Sequence, residues 1–246
     1  MRYLVISDVH ANWEALEAVL EHARGSYDTI LCCGDLVGYG ADPNRVVEWA
    51  RHHVSAVVRG NHDKACAGLE DLEWFNPVAR AAALWTQQVL TPENLDYLRN
   101  LPKGPLALDG FQILHGSPVD EDEYLVTVAH IRQISNYVDR PLSFFGHTHL
   151  QGGFFWYRAG VHRIGKLSET ETERVVELSP DSVCLANPGA VGQPRDGDAR
   201  AAYLLYVPEE RILIYRRVPY DVHAAQRKIL DAGLPPALAH RLAFGA

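Results

Sequence analysis

Five short polar motifs follow one another along this chain, each closing an apolar run. They are Asp8-Val9-His10, Gly34-Asp35, Gly60-Asn61-His62-Asp63, His115-Gly116 and Gly146-His147-Thr148-His149. Between them they bring enough Asp, Asn and His side chains to hold two metal ions and leave one His spare. A pair of divalent cations held by oxygen and nitrogen ligands is a device for cleaving phosphate esters. The chain must therefore fold so that several strand ends meet in one place.

The segments around the motifs indicate how. Residues 2–7 read as a short buried strand. Residues 11–24 set Trp13, Leu16, Val19, Leu20 and Ala23 at helical spacing, and Gly25 is the stop. Residues 29–33 and 54–58 read as two further strands, and Asp42-Pro43 as the N-cap and first residue of a helix reaching about His53. Asn76-Pro77 and Thr91-Pro92 open two more helices. Residues 105–108 and 111–114 flank Asp109-Gly110, a hairpin signal. The stretch 127–138 reads as helical, and 142–145 as a strand that ends at Gly146. Several short β-rich runs fill 153–207, and 203–207 pairs with 211–217 across Pro208-Glu209-Glu210. The tail from Asp221 is helical, broken near Gly233-Leu234-Pro235-Pro236. The most polar stretch, 165–181, reads as a surface loop or exposed hairpin. With no internal repeat and no low-complexity linker, the expectation is one α/β domain over residues 1–246, mixed sheet inside and helices outside.

Charge and cysteines narrow the function. A formal net charge of −8 disfavours a broad electrostatic grip on nucleic acid or an anionic membrane. It leaves room for a small anionic substrate, because bound cations reverse the local field of a site. Cys32, Cys33, Cys66 and Cys184 show no CxxC spacing and read as reduced thiols of a cytoplasmic protein. The first apolar run is too short for a signal peptide and ends in a carboxylate. No stretch approaches the ~18 apolar residues of a membrane span.

Spacing explains why the motifs suit metal. Asp8 and His10 stand two apart where a strand ends, and strand residues i and i+2 point to one side. Gly34 lets backbone approach closely, and the Asp35 carboxylate is placed to bridge two ions. Asn61 offers an amide oxygen, His115 ends the second hairpin arm, and His147 and His149 are again two apart. All lie beyond the C-terminal ends of strands, where α/β sheets place their ligands. Singly, each has a plainer reading: a turn for Asp-x-His or Gly-Asp, a hydrogen-bonded ring for His115. Five such motifs in order have no comparable structural explanation.

In this motif set the chain resembles the calcineurin-like metallophosphoesterases. It is most similar to the branch of small bacterial and archaeal phosphodiesterases and diadenosine tetraphosphatase-like proteins. The motifs span residues 8–149, and a weaker likeness continues through Asn187-Pro188-Gly189-Ala190-Val191-Gly192-Gln193-Pro194-Arg195 to the tail. The resemblance implies a four-layer α-β-β-α sandwich of two mixed sheets flanked by helices, with the site on loops at one edge. It implies a first metal on Asp8, His10, Asp35 and His149, and a second on Asp35, Asn61, His115 and His147. His62 would be the catalytic histidine and Asp63 would hold its ring. The implied reaction is hydrolysis of a phosphodiester or nucleotide-type phosphoester by a metal-bridging hydroxide. His62, as imidazolium, would stabilise charge or protonate the leaving oxygen. A ligand set without thiolate suits Mn²⁺, Fe, Zn²⁺ or Co²⁺, and the partner would be a small phosphorylated or nucleotide-like substrate.

The chain departs from the superfamily's protein phosphatases after Gly34-Asp35. Those carry Asp-Arg-Gly there, and here the run is Leu36-Val37-Gly38-Tyr39-Gly40-Ala41-Asp42, without the fork-shaped phosphate donor. Four residues are candidates for substrate contact. Tyr39 either packs against a base or aromatic leaving group or covers the helix that follows. Asn12 either reaches the site edge or caps its helix. Asn187 and Arg195 lie in a Gly/Pro-rich loop that returns to the metals in the family. Arg195 is either the missing anion donor or a surface ion pair. The pair Arg216-Arg217 reads as a solvated strand edge, and Trp74-Phe75 as packing under a loop or a cap on the site. Competing functions are a catalytically silent scaffold on the same fold, a protein or small-molecule phosphomonoesterase, and a nuclease, which the acidic balance argues against.

Overall fold

Each strand near the middle of the chain's two sheets feeds two cores at once, one per face. The computed structural model describes residues 1–157 and 160–246. The first half alternates strand and helix: β1 (Tyr3–Ile6), α1 (Trp13–His22), β2 (Thr29–Cys32), α2 (Pro43–His53), β3 (Ala56–Val57), α3 (Asn61–Cys66), α4 (Pro77–Val89) and α5 (Pro92–Arg99). The second half is strand-rich: β4 (Leu106–Ala107), β5 (Gln112–Ile113), α6 (Val128–Ile134), β6 (Leu142–Phe144), β7 (Gly152–Tyr157), β8 (Gly160–Ile164), β9 (Glu173–Glu177), β10 (Val183–Asn187), β11 (Ala201–Val207) and β12 (Ile212–Val218). Two helices close the chain, α7 (Val222–Asp231) and α8 (Pro236–Leu242).

The strands form two six-stranded sheets, in the orders β3-β2-β1-β11-β12-β9 and β4-β5-β6-β10-β7-β8. Both are mixed. In the first, β1, β2 and β3 run parallel while β11 lies antiparallel to β1, with Tyr3 opposite Tyr206. In the second, β5, β6 and β10 run parallel, and β7 is antiparallel to β10.

Alternation along the strands assigns the layers. Leu4 and Ile6 of β1 point into a core with Leu16 and Val19 of α1 and Val46 and Val47 of α2. Val5, between them, points the other way, into a core with Phe111, Phe144, Cys184 and Tyr215 that lies between the sheets. Leu185 of β10 faces outward onto Ile131 and Ile134 of α6. The result is the α-β-β-α sandwich the resemblance implied, with helices on both outer faces. Helices α7 and α8 pack with α4 around Tyr39, adding a helical cover beside the first sheet.

Most helix starts are set by the residues that predict them. Asn12, Asn76, Thr91 and Asp221 each accept a backbone N–H of the first turn, the capping that satisfies an orphan donor. Asp42 is different. Helix α2 begins after it, but its carboxylate caps nothing and instead takes the Lys228 ammonium at 2.6 Å. The polar stretch 165–181 contains a strand, β9, which forms an edge of the first sheet beside β12. Its exposed alternation hides it, because an edge strand with one wet face buries little. Arg217 is not a solvated strand edge. It is fully buried and paired with Asp196 and Asp198, with Nε donating to Gln151 Oε1 at 3.1 Å. Among the described residues no helix is long and apolar enough to cross a membrane, and all four cysteines are buried free thiols.

Candidate metal centre

The five motifs meet where β1, β2, β3, β5 and β6 end, but strand alternation is not what aims the side chains. β1 ends at Ile6 and β6 at Phe144, before the ligands begin. Asp8, His10, Asp35, His147 and His149 all have φ between 48° and 62°, the left-handed region that costs a non-glycine residue ~1–2 kcal/mol. These turns, not the pleat, bring i and i+2 to one side. Such strain persists only where the surroundings over-determine it. Glycines supply the close approach: a Cβ on Gly34 would stand 2.7 Å from His115 Nδ1, and one on Gly60 would stand 2.1 Å from Asp35 Oδ1.

Two groups of donors result. Asp8, His10, Asp35 and His149 can each offer one atom within 4.8 Å of the others, and so can Asp35, His115 and His147. Asn61 joins the second group, its Oδ1 3.3 Å from His115 Nε2. Asp35 belongs to both: its Oδ2 is 3.5 Å from His10 Nε2 and 3.5 Å from His115 Nε2. That oxygen and Asp8 Oδ2 are buried without a hydrogen-bond partner, a costly state for a carboxylate unless something else occupies its lone pairs.

The rings are fixed from behind. His10 Nδ1 donates to Val37 O, His115 Nδ1 to Cys33 O, His149 Nδ1 to Gln193 O and His147 Nε2 to Asp122 O. In the neutral rings of His10, His147 and His149 the opposite nitrogen is then a bare lone pair aimed inward. His10 Nε2 and His149 Nε2 are 3.1 Å apart, and His115 Nε2 and His147 Nδ1 are 3.1 Å apart. The facing lone pairs of His10 and His149 repel, and a cation between them removes the repulsion. A carbonyl behind a ligating histidine is the usual outer support of a metal site. Carboxylate, amide and imidazole donors fit a divalent transition metal in both positions.

Charge in the cluster follows burial. Burial holds His10 and His149 well below the ordinary imidazole range and takes His147 down to about 3, so all three are neutral and ready to ligate. Burial opposes the charge of His115 too, but the Asp35 carboxylate beside it raises it to about 9. Asp35 is correspondingly held well below the carboxylate range: burial works against it, and His115 outweighs burial. Asp8, desolvated and close to Asp35, rises to about 7.

His62 sits at the front of the cluster with its ring edge-on to His10 at 5.0 Å and tilted against Tyr39 at 4.3 Å. Its backbone N–H donates to Asp35 Oδ1 at 2.9 Å. Two expectations about it are corrected. Burial takes its pKa down to about 4, so the ring is neutral, not imidazolium. Asp63 does not hold the ring either. Its carboxylate accepts the backbone N–H groups of Asp35 at 2.8 Å, Gly60 at 2.9 Å and Val37 at 3.2 Å, so it ties two ligand loops together. His62 Nδ1 is buried without a partner, against Gly38, where a Cβ would stand 2.7 Å away.

The substrate candidates sort differently. Asn12 is spent: Oδ1 caps α1, and Nδ2 donates to Gly192 O at 2.8 Å and Tyr220 Oη at 3.3 Å. Asn187 is spent too, donating to Gly146 O and Thr148 Oγ1 at 3.0 Å each and accepting from Gly189 N. Both position ligand loops and have no group left for substrate. Tyr39 is buried against His10 and His62 and walls the site. Arg195 makes no surface ion pair among the described residues. Its guanidinium donates to Gln193 Oε1 at 3.0 Å and Tyr39 Oη at 3.3 Å, and its charge acts on Asp8, His10, His62 and His149. Phe75 does reach the site, edge-on to His62 at 5.3 Å, while Trp74 beside it stays exposed. Tyr124, which the sequence did not single out, covers His147 at 4.0 Å. The four carbonyls behind the histidines leave no trace in residue identity.

Comparison with known proteins adds a frame. Residues 1–210 match the family model described as "Calcineurin-like phosphoesterase superfamily domain". The chain is 35% identical over 257 residues to uncharacterized protein MJ0912 of Methanocaldococcus jannaschii, across 98% of this chain and 97% of that one. It is similar to the crystal structure of a metallophosphoesterase from Sphaerobacter thermophilus, at 39% identity and a TM-score of 0.86, covering 100% of this chain and 99% of that one. Hypothetical protein PH1004 of Pyrococcus horikoshii shares the fold at 18% identity and a TM-score of 0.76, covering 100% and 98%.

Proposed function

The chain belongs to the calcineurin-like phosphoesterase superfamily, and from that premise we propose that it is a binuclear metal-dependent phosphodiesterase. The observation that carries this is the shared Asp35 Oδ2, equidistant from His10 Nε2 and His115 Nε2, between two converging donor sets. In this reading Asp8, His10, Asp35 and His149 hold one divalent ion, and Asp35, Asn61, His115 and His147 hold the other. Such a pair, when bound, acidifies water and neutralises phosphoryl oxygens.

The protein's own residues do the rest. The carbonyl-backed histidines keep the donors in place before substrate arrives, so little reorganisation is needed. His62, whose Nδ1 abuts Gly38 without a partner, carries its proton on Nε2 and presents it to a phosphoryl or leaving-group oxygen. Asp63 keeps His62 in register by pinning the loops on both sides of it. Arg195 adds positive field rather than a bidentate grip, because its fork is engaged by Gln193 and Tyr39. That suits a diester, whose phosphoryl group carries one negative charge, better than a dianionic monoester.

The test is hydrolysis by chelator-stripped protein reloaded with Mn²⁺, on bis-p-nitrophenyl phosphate and p-nitrophenyl phosphate side by side. Metal-dependent turnover favouring the diester supports the reading. Preference for the monoester moves the assignment to a phosphatase. Two bound metals without turnover of either compound would point to a scaffold.

A further inference from the structure

A cleft of about 340 Å³ opens over Asn61, His62 and His147, the exposed side of the metal centre. Its size is that of a small-molecule site. Trp74 lines it and is 90% exposed. Its neighbours are anchored: Leu72 is buried in the main core, and Phe75 packs edge-on against His62. The indole is therefore held out beside the reaction centre by a fixed segment. An uncovered indole among packed neighbours is the exposed apolar surface that calls for an occupant. Tyr124, 47% exposed, lines the same cleft with its ring against His147.

The charge of the cleft limits the occupant. Glu70 and Asp122 line it, and among the described residues no Lys or Arg does. The nearby Lys64 ammonium is taken by Asp122 at 2.7 Å, Glu121 at 3.2 Å and Glu70 at 3.5 Å. A second phosphate there would meet two carboxylates and, among the described residues, no free cation. A neutral planar ring bearing amino groups meets an aromatic face and acceptors.

We propose that this cleft takes the base of a nucleoside phosphate, stacked on Trp74, while the phosphoryl group lies at the metal centre. The proposal rests on the phosphoesterase reading and narrows its substrate to nucleotides. Aromatic stacking contributes about 5- to 140-fold in affinity per base.

The experiment is calorimetric titration of Zn²⁺-loaded protein with three diester monoanions, adenosine 5′-(methyl phosphate), ribose 5-(methyl phosphate) and dimethyl phosphate, for the native chain, Trp74→Ala and Trp74→Phe. The expected result is a preference for the adenosine diester over the ribose diester of about 5- to 140-fold. Trp74→Ala abolishes it, Trp74→Phe keeps most of it, and the ribose diester binds all three alike. Because the indole is exposed, neither variant is expected to affect folding. Equal or absent binding of the adenosine and ribose diesters, in protein that still hydrolyses bis-p-nitrophenyl phosphate, overturns the base site alone. A preference that survives Trp74→Ala overturns it too. No binding of any of the three compounds, together with no hydrolysis, removes the phosphoesterase reading and this proposal with it.

Discussion

His10 Nε2 and His149 Nε2 lie 3.1 Å apart while both Nδ1 atoms donate to backbone carbonyls, so two lone pairs face each other in a buried site. A cation there relieves repulsion in the folded state and has no counterpart in the unfolded chain. Stability should therefore follow free metal. At a hundredfold excess over Kd the gain is ~2.7 kcal/mol per site. Thermal unfolding with a chelator and with added Mn²⁺ or Zn²⁺ measures it, and an unchanged Tm would count against the metal centre.

The shared Asp35 oxygen predicts unequal metal losses. Asp35→Ala should leave the folded protein with neither ion held tightly. His147→Ala should lose one and keep the group around Asp8, His10 and His149. Elemental analysis after gel filtration reads the stoichiometry directly; one retained metal in Asp35→Ala would show that the carboxylate does not bridge.

His62 belongs to neither donor group and faces the cleft. His62→Ala should keep both metals and lose ~10²–10³-fold in kcat, the worth of one fixed hydrogen-bond donor. His62→Gln, which restores an N–H donor, should recover part of the loss. Full turnover by metal-loaded His62→Ala would remove His62 from the chemistry.

Asn12 separates scaffold from substrate contact. Asn12→Ala should cost ~1–2 kcal/mol, through the lost cap of α1 and the tie to Gly192. KM for bis-p-nitrophenyl phosphate should stay within about twofold. Urea unfolding beside steady-state kinetics decides it, and a large KM rise with unchanged stability would return Asn12 to the substrate.

Acid stability should depend on Asp198. Burial opposes its charge, but the Arg200 guanidinium and Arg217 outweigh burial and hold it below the ordinary carboxylate range. A depressed folded pKa means the stabilisation is whole above the unfolded value, about 3.9, and fades as pH falls through the folded one. Asp198→Asn should lower stability at neutral pH by ~1–3 kcal/mol and flatten its fall below pH 4. An equal acid slope in both proteins, measured by urea midpoints against pH, would rule this out.

Much of this centre is readable from residue order, because its candidate donors are chemically distinctive and sit where apolar runs stop. Asp8, His10, Asp35, Asn61, His115, His147 and His149 are brought together, though by left-handed turns that no pleat rule foresees. What escapes reading is contributed by backbone or by geometry. Val37, Cys33, Asp122 and Gln193 act on the rings through carbonyls, which every residue carries. Asn12 and Asn187 look like contacts because an amide suits substrate and loop equally, and only the partners tell which. Edge strand β9 is hidden in a polar stretch, and Arg217 looks exposed because its acids, Asp196 and Asp198, are about twenty residues away.

The last candidate donor is His149, yet the first sheet places β11 directly beside β1, and His149 leans on Gln193. A growing polypeptide that has emerged only as far as residue 150 thus already carries every donor and lacks the strand and the carbonyl that aim them. The donors belong to the first 149 residues, while part of what aims them comes from Gln193 and β11.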